Sequence, residues 1–188
     1  MRKVFLFNMT TLDGFFEGPN QDISWHHTDD EFNEFAIEQL NEIGTLLFGR
    51  VTYEGMASYW PTEFAISEDP AVAGLMNSLP KIVLSRTLDK AEWNNSRLVK
   101  DAERAAEEVL KLKQQPGKDI AIFGSSDLAV TLAERGLIDE YRIIVNPVFL
   151  GNGTSLLKGI TEKLELELLN ARIFKSGNVL LYYAPKPG

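Results

Sequence analysis

Two glycine-containing turns in this 188-residue chain have the composition of anion-binding sites. Gly49-Arg50-Val51-Thr52 and Gly124-Ser125-Ser126 each follow a short apolar run and precede a segment with helical periodicity. Backbone amides at the start of a helix are free to donate hydrogen bonds, and the helix dipole favours negative charge there. Each turn alone could simply shape the chain, because glycine permits tight turns and hydroxyl side chains cap helices. Together they suit a dinucleotide with several phosphates.

The common nucleotide-binding and hydrolase motifs do not occur. Gly151-Asn152-Gly153 begins like the dinucleotide pattern G-x-G-x-x-G, but Leu156 occupies the third glycine position. We interpret these two glycines as turn residues that supply positive φ angles. The sequence contains neither a P-loop nor the G-x-S-x-G pattern of a serine hydrolase.

The residue inventory argues against metal chemistry. The chain has no cysteine, which excludes thiolate zinc sites, iron–sulfur clusters and a cysteine nucleophile. Its two histidines, His26 and His27, are adjacent, so their side chains cannot easily converge on one ion. Acidic residues follow them at a predicted helix start, where they complement the helix dipole and form a solvated face. We therefore predict no metal site.

Two further positions could contact a ligand. Asp13-Gly14 is typical of a tight turn in which the aspartate binds its own backbone, but it could also meet a substrate. Trp25 and Trp60 flank the acidic segment and the Gly49 turn. Each ring could be ordinary packing, or it could stack on a planar ligand. We take Asp13 and Trp25 as candidate substrate-binding residues.

The elements that must position these residues are short apolar strands alternating with helices. Continuous apolar runs predict buried strands at residues 4–9, 45–48, 81–85 and 120–123. A capping box at Thr28-Asp29-Asp30-Glu31 predicts a helix that ends at Gly44, and the Gly49 turn predicts a second helix to about Tyr59. Two more helical stripes end near residue 116 and at Gly136. Residues 62–80 are predicted to be less regular.

The C-terminal third predicts strands rather than helices. Residues 141–145 form one, and residues 164–174 and 179–183 are predicted to pair as a hairpin around Ser176-Gly177-Asn178. Buried parallel strands need helices on both faces. We predict an α/β fold, a three-layer sandwich with a mixed, mostly parallel sheet and a C-terminal antiparallel hairpin, in one domain over residues 1–188. Ligands should bind at the carboxyl ends of its strands.

Charge and hydropathy narrow the partners. The formal net charge is −8, and we find no clustered basic face that could displace counterions from DNA. No run approaches the roughly 18 apolar residues of a membrane span, and the first apolar run is too short for a signal peptide. We therefore expect a cytoplasmic protein with a small-molecule substrate and no nucleic-acid or membrane partner.

Six segments in order resemble the dihydrofolate-reductase-like reductases, and among these the C-terminal reductase domain of riboflavin biosynthesis. The likeness covers almost the whole chain. It is carried by Thr11-Leu12-Asp13-Gly14, Leu47-Phe48-Gly49-Arg50-Val51-Thr52-Tyr53-Glu54, Lys81-Ile82-Val83-Leu84-Ser85-Arg86, Phe123-Gly124-Ser125-Ser126-Asp127-Leu128, Gly136-Leu137-Ile138-Asp139-Glu140 and Pro147-Val148-Phe149-Leu150-Gly151-Asn152-Gly153.

This resemblance implies NADPH as the cofactor. It implies that Gly49, Arg50, Val51 and Thr52 lie at the cofactor's phosphates, that Ser85 and Arg86 lie near the adenosine ribose and its 2′-phosphate, and that Gly124, Ser125 and Ser126 lie at the pyrophosphate. It places Trp25 beside the nicotinamide. An arginine suits the 2′-phosphate because its planar fork donates two charge-assisted hydrogen bonds.

The sequence departs from its relatives at the substrate. Riboflavin-type domains carry a glutamate before the glycine pair, whereas Phe123 stands here, followed by Gly124-Ser125 in place of the pair. We predict an NADPH-dependent reductase that transfers a hydride to a small heterocyclic or carbonyl substrate, similar to 5-amino-6-(5-phosphoribosylamino)uracil reductase. The alternative is a non-catalytic, dimeric nucleotide- or pterin-binding module. The resemblance also implies a homodimer, and we expect the aromatic segment at residues 179–183 to leave an apolar edge that a partner covers.

Overall fold

The structure, a computed structural model, describes residues 1–100, 102–124 and 126–187. The strands are β1 (Val4–Thr11), β2 (Phe15–Glu17), β3 (Ile43–Gly49), β4 (Lys81–Leu84), β5 (Ser96–Val99), β6 (Asp119–Phe123), β7 (Glu140–Asn146), β8 (Thr154–Ser155), β9 (Leu166–Ile173) and β10 (Val179–Pro185). The helices are α1 (Asp30–Glu42), α2 (Arg50–Tyr59), α3 (Glu63–Glu68), α4 (Pro70–Ser78), α5 (Ala102–Gln114) and α6 (Ser126–Glu134), and a single 3₁₀ turn covers Pro19–Gln21.

Eight strands form one twisted sheet in the order β5-β4-β3-β6-β1-β7-β10-β9. The first six run parallel, while β10 pairs antiparallel with both β7 and β9. The strands β2 and β8 form a separate two-stranded ribbon. The mixed, mostly parallel sheet with its C-terminal hairpin confirms the predicted fold class.

Helices cover both faces of the sheet, which confirms the three-layer arrangement. On one face Val4 and Leu6 of β1 pack with Val109 of α5 and Leu132 of α6. On the other face Phe5 of the same strand packs among the buried side chains of α1, α2 and α4. This alternation follows from the strand geometry, because successive side chains point to opposite faces. Continuous apolar runs such as β1 are therefore required in the middle layer.

The start of α1 differs from the prediction by one residue. Asp29, not Thr28, is the N-cap, and its carboxylate accepts a hydrogen bond of 2.8 Å from the Phe32 amide. The predicted capping box does not form, because Glu31 instead accepts a bond from the Lys175 amide in the C-terminal hairpin. The helix also ends at Glu42, and Gly44 lies inside β3. A tertiary contact thus replaced the local capping pattern.

Residues 62–80 are more regular than predicted. Thr62 and Asp69 cap α3 and α4 by accepting bonds from the amides three residues later, and Pro70 occupies the first turn of α4. Both signals were visible in the sequence, but the apolar period of such short helices is weak. The sequence also gave no indication of β5, β2 or β8. The predicted end of α6 at Gly136 is confirmed, with φ at +64° and a bond from its amide to Ala133.

Membrane crossing has no support among these elements. None of the helices in the described part of the chain combines the length and apolarity that a bilayer span requires.

Candidate active site

The sheet order brings the predicted turns to one edge. In register, Gly49 at the end of β3 pairs with Leu84 of β4, and Leu47 pairs with Ile122 of β6. Phe7 of β1 pairs with Phe123, the last residue of β6. The carboxyl ends of β4, β3, β6 and β1 therefore lie side by side in that order. Ligands of open parallel sheets bind at this edge.

A cleft of about 250 Å³ opens at this edge, between α2, α6 and the segment after β4. Five of the predicted cofactor residues line it, namely Gly49, Arg50, Val51, Ser85 and Arg86. Lining residues that the sequence interpretation missed include Thr87, Lys100, Asp127 and Thr131. Lys100 gave no motif signal. It could have been found only by recognising β5, which ends at Val99 and presents the next residue to the same edge.

Arg50 occupies the first turn of α2, whose amino end carries no side-chain cap among the described residues. The N-cap residue is Gly49, in an extended conformation. The Arg50 guanidinium donates a 2.9 Å hydrogen bond to Glu54 one turn later, and both side chains are about half exposed. A helix start with glycine as its N-cap, next to a guanidinium, is suitable for phosphate oxygens.

Gly124 packs directly against Thr52, so the two predicted anion-binding turns are in contact. Gly124 has φ at +66°, and a Cβ atom at this position would lie 2.6 Å from the Thr52 hydroxyl oxygen. No side chain fits there without displacing α2. The sequence therefore needs glycine at this position both for its backbone conformation and for the close approach of the two turns.

The serines of the site differ in their surroundings. The Ser85 hydroxyl accepts hydrogen bonds from the amides of Thr87 and Leu88, which shapes the loop after β4. The Ser126 hydroxyl, at the start of α6, is buried and has no hydrogen-bond partner among the described residues. A buried hydroxyl without a partner is unfavourable, but Ser126 itself is not among the residues that line the cleft. Ser125 lies outside the described residues.

Asp13 lies in the loop after β1, where its carboxylate binds the chain itself. It accepts bonds of 2.7 Å from the Gly151 amide, 3.1 Å from the Leu150 amide and 2.6 Å from the Thr11 hydroxyl. The bond from Thr11, followed by those from the two amides, lowers the pKa of Asp13 below its ordinary value. Asp13 thus fastens the β1–β2 loop to the loop after β7.

Trp25 is buried beneath the same region. Its indole nitrogen donates a 3.0 Å bond to the Asp22 carbonyl, and its ring packs edge-on against His26 at 4.5 Å between centroids. Trp25 belongs to a core cluster with Met9 and Phe35, from β1 and α1. Burial lowers the pKa of His26 to about 4, so this imidazole is neutral at pH 7. Trp25 therefore lies on the β1 side of the edge, away from the cleft.

A larger cleft, of about 610 Å³, lies along the other side of α2. It is bounded by Glu54, Asn77, Lys90 and Trp93 and contains none of the predicted site residues. We place the candidate site in the smaller cleft, because it alone of the two combines strand ends, a helix start and several cations. The described residues also contain no group of three or more potential metal ligands.

Comparison with known proteins identifies the family of this chain. Residues 2–180 match the model of the RibD C-terminal domain. The chain belongs to this family. The YyaP protein of Bacillus subtilis is 35% identical over 184 residues, which cover 97% of this chain and 94% of that protein.

Solved structures of low sequence identity share the fold of this chain. The bifunctional deaminase and 5-amino-6-(5-phosphoribosylamino)uracil reductase of Thermotoga maritima superposes with a TM-score of 0.69 at 15% identity, covering 98% of this chain and 57% of that one. Dihydrofolate reductase from Enterococcus faecalis, in a complex with NADP(H), superposes with a TM-score of 0.65 at 16% identity, covering 98% and 97% of the two chains. At 15% and 16% identity, these two structures show that this chain has their fold.

Proposed function

We propose that this chain is an NADPH-dependent reductase that transfers a hydride to a small heterocyclic substrate, pterin-like or pyrimidine-like, or to a carbonyl substrate. The activity would be similar to that named for the Thermotoga protein. The observation that carries the proposal is the cleft at the strand ends, which Arg50, Arg86 and Lys100 line together. NADPH carries a pyrophosphate and a 2′-phosphate, and guanidinium groups bind phosphate with strong charge-assisted hydrogen bonds.

The residues around the cleft divide into two groups. Ser85 and Arg86, after β4, would bind the adenosine ribose and its 2′-phosphate. The Gly49 turn, with Arg50, Val51 and Thr52, would bind the phosphates, and the turn of Gly124, Ser125 and Ser126 would bind the pyrophosphate. The start of α2 at Gly49, beside Arg50, and the contact of Gly124 with Thr52, which brings the two turns together, both fit such a ligand.

The strand order supports a position for the reduction near the end of β1. Neighbouring strands lie about 4.8 Å apart, so the ends of β4 and β1 are roughly 14 Å apart across β3 and β6. A cofactor with its adenosine at β4 and its phosphates at β3 and β6 reaches β1 with its nicotinamide, which supplies a hydride. The β1–β2 loop, held by Asp13, and the start of α1 would enclose the substrate and exclude water. Trp25, buried beneath the β1–β2 loop, would support that side of the substrate site.

Calorimetric titration with NADPH, followed by a screen of NADPH oxidation with candidate acceptors, tests the proposal. We expect NADPH to bind more tightly than NADH and at least one acceptor to be reduced. NADPH binding without turnover of any acceptor would favour the alternative, a non-catalytic nucleotide- or pterin-binding module. A chain that binds neither nicotinamide nucleotide would contradict the assignment of the cleft.

We also propose that the protein is a homodimer. The outer edge of the sheet is β9, which exposes Leu168, Leu169 and Ile173, the last with 76% of its surface accessible. The segment at residues 179–183, suggested from the sequence as the apolar edge, is instead covered by β9. An exposed apolar edge strand favours pairing with a second copy.

Light scattering should therefore give twice the chain mass of 21.1 kDa at micromolar concentration. Ile173→Lys should shift the molecule to a monomer, because it places a charge in the buried edge. Leu110→Lys, on an exposed position of α5, is the matched control and should leave the mass unchanged. A monomeric mass for the unaltered protein would count against the dimer.

The proposed setting is the cytoplasm, with a small-molecule substrate and neither nucleic acid nor membrane as a partner. The net charge of −8 supports the expected lack of nucleic-acid and membrane partners, because duplex DNA and anionic lipid surfaces attract basic proteins.

A substitution at Trp25 should separate substrate from cofactor effects. Trp25→Phe keeps a ring in the core but removes the donor to the Asp22 carbonyl. We expect the substrate KM to rise about three- to tenfold, because the loop that would contact the substrate loses this hydrogen bond. NADPH affinity should stay within about twofold. Steady-state kinetics and calorimetry measure the two effects. Loss of NADPH affinity with an unchanged KM would place the substrate elsewhere.

A further inference from the structure

Four phenylalanines, of which Phe35 and Phe123 are buried, pack side by side near the proposed position of the nicotinamide. Phe7 of β1 lies 5.4 Å from Phe123 of β6 and 5.9 Å from Phe35 of α1, between ring centroids. Phe32 extends the group one turn earlier on α1, 6.3 Å from Phe35. We call these four side chains the aromatic wall. Phe7 and Phe32 are only partly buried, so the wall is accessible from the edge of the sheet.

Two exposed apolar side chains lie on the neighbouring loops after β1 and β7, and Val148 and Leu150, on the second loop, pack against the core cluster that contains Phe35. Leu12 follows β1 and is 55% exposed, and Phe149 follows β7 and is 74% exposed. Their loops are joined, because the Leu12 amide donates a 3.0 Å bond to Val148 and Asp13 binds the amides of Leu150 and Gly151. We call Leu12 and Phe149 the apolar lip. Large apolar side chains exposed on adjacent, tethered loops are characteristic of a ligand-binding rim.

The charged groups next to the wall already have partners. Asp29 caps α1, and Glu31 accepts a bond from the Lys175 amide and faces Arg172 at 3.7 Å. The Asp13 carboxylate accepts a hydrogen bond from the Gly151 amide in the loop after β7. Asp30 and Glu34 are exposed on α1. Among the described residues on α1 and the β1–β2 loop, no buried carboxylate is therefore left to bind a protonated heterocycle.

The nearest histidine does not replace such an acid. His26 contacts Trp25, and burial lowers its pKa to about 4. Its Nε2 atom is buried and has no hydrogen-bond partner in the described part of the chain. A neutral imidazole is a poor proton donor at pH 7. An acceptor that takes a hydride without first being protonated by the protein fits these surroundings.

We propose that the acceptor is an uncharged, planar, conjugated carbonyl compound of the quinone class, bound between the aromatic wall and the apolar lip. Flat rings stack favourably on aromatic side chains, and an uncharged ring needs no ionic partner. The hydride leaves C4 of the nicotinamide with its electron pair and forms a new bond on the quinone. The resulting oxyanion takes a proton from water, which gives a hydroquinone and NADP⁺. This inference rests on the proposed reductase function.

The test uses the full chain with NADPH and menadione, a compact naphthoquinone. Dihydrofolate and 5-amino-6-(5-phosphoribosylamino)uracil serve as charged comparison substrates. We expect kcat/KM for menadione to exceed that for either comparison substrate by tenfold or more, about the discrimination that a mismatched charge or polar group causes in an apolar site. Calorimetry with menadione in the presence of NADP⁺ measures binding independently of turnover.

Two exposed phenylalanines provide a matched pair of variants. Phe149→Ala removes one side of the lip and should weaken menadione binding about three- to tenfold, as expected for the loss of part of one ring's apolar contact. Phe64→Ala, at a residue that is 64% exposed on α3, should change nothing. Phe7→Leu, in the wall, should lower kcat/KM about tenfold without altering NADPH affinity.

The outcomes separate this inference from the proposed function. Tight NADPH binding with rapid reduction of a charged pterin or pyrimidine, and little reduction of menadione, overturns the quinone class and leaves the reductase intact. Equal effects of Phe149→Ala and Phe64→Ala on menadione binding also contradict the site. Failure to bind NADPH at all would instead overturn the reductase.

Discussion

Replacing Arg86 with alanine is expected to raise the Kd for NADPH about tenfold to 150-fold and to leave the Kd for NADH nearly unchanged. Arg86 lines the cleft beside Ser85, at the end of β4 where the 2′-phosphate is proposed to lie. Losing one charge-assisted hydrogen-bonding group costs about 1.5–3 kcal/mol, which is this range of affinity. NADH lacks the 2′-phosphate, so it has no such contact to lose.

Arg50→Ala should behave differently. Arg50 lies at the start of α2, where the phosphates common to both nucleotides are proposed to bind, so NADPH and NADH should weaken by similar factors. Arg97→Ala is the matched control, because Arg97 pairs with Glu108 outside the cleft and should affect neither ligand. Calorimetry with both nucleotides distinguishes these cases. Equal losses of NADPH and NADH affinity in Arg86→Ala would move the 2′-phosphate to another residue.

The central sheet of this fold could be predicted because two separate sequence signals, an apolar run and the turn after it, mark the same strands. β1 and β6 each contain four consecutive apolar residues, and each strand is followed by a turn with a glycine at positive φ, Gly14 or Gly124. The strand ends in turn predicted that Gly49, Ser85 and Gly124 share one edge. The contact between Gly124 and Thr52 could not be predicted, because it depends on how closely α2 and β6 pack.

Other features depend on contacts that are distant in sequence. The capping pattern before α1 failed because Lys175, in the C-terminal hairpin, takes the Glu31 carboxylate. Lys100 reached the cleft through β5, a four-residue strand whose residues alternate between faces too briefly to show a pattern. The sequence showed that Phe123 stands where riboflavin-type domains carry a glutamate. Its role in a wall with Phe7 and Phe35 required the packing of α1 on the sheet.

Lys81 is a charged residue that the sequence placed correctly at the start of a strand but whose environment it did not predict. Its side chain is 1% exposed. The ammonium donates to three backbone carbonyls, at 3.2 Å from Asn77, 2.7 Å from Leu79 and 3.0 Å from Asn94. It also lies 4.4 Å from the centroid of the Trp93 ring. One cation thus joins the end of α4 to the loop before β5.

Lys81→Met is therefore expected to lower the free energy of unfolding by about 2–4 kcal/mol at pH 7. Methionine fills a similar volume but donates no hydrogen bonds, and each buried carbonyl left without a donor costs about 1–3 kcal/mol, partly offset by no longer burying a charge. Urea unfolding measures the change. Lys90→Met, at an exposed lysine, is the control and should alter stability by less than about 0.5 kcal/mol.

The pH dependence of unfolding provides a second, independent signature of this lysine. Burial lowers the pKa of Lys81 to about 8, from 10.5 for an unperturbed lysine. Between these two values the unfolded chain binds more protons at this site than the folded chain, so stability gains a contribution that increases with pH. The difference in unfolding free energy between the unaltered protein and Lys81→Met should therefore widen as pH rises from about 8 towards 10. Tyr141, whose pKa burial raises to about 12, is present in both proteins, so its contribution cancels in this difference. A difference that stays constant or narrows would mean that the carbonyls and the Trp93 ring hold the ammonium charged through the whole range.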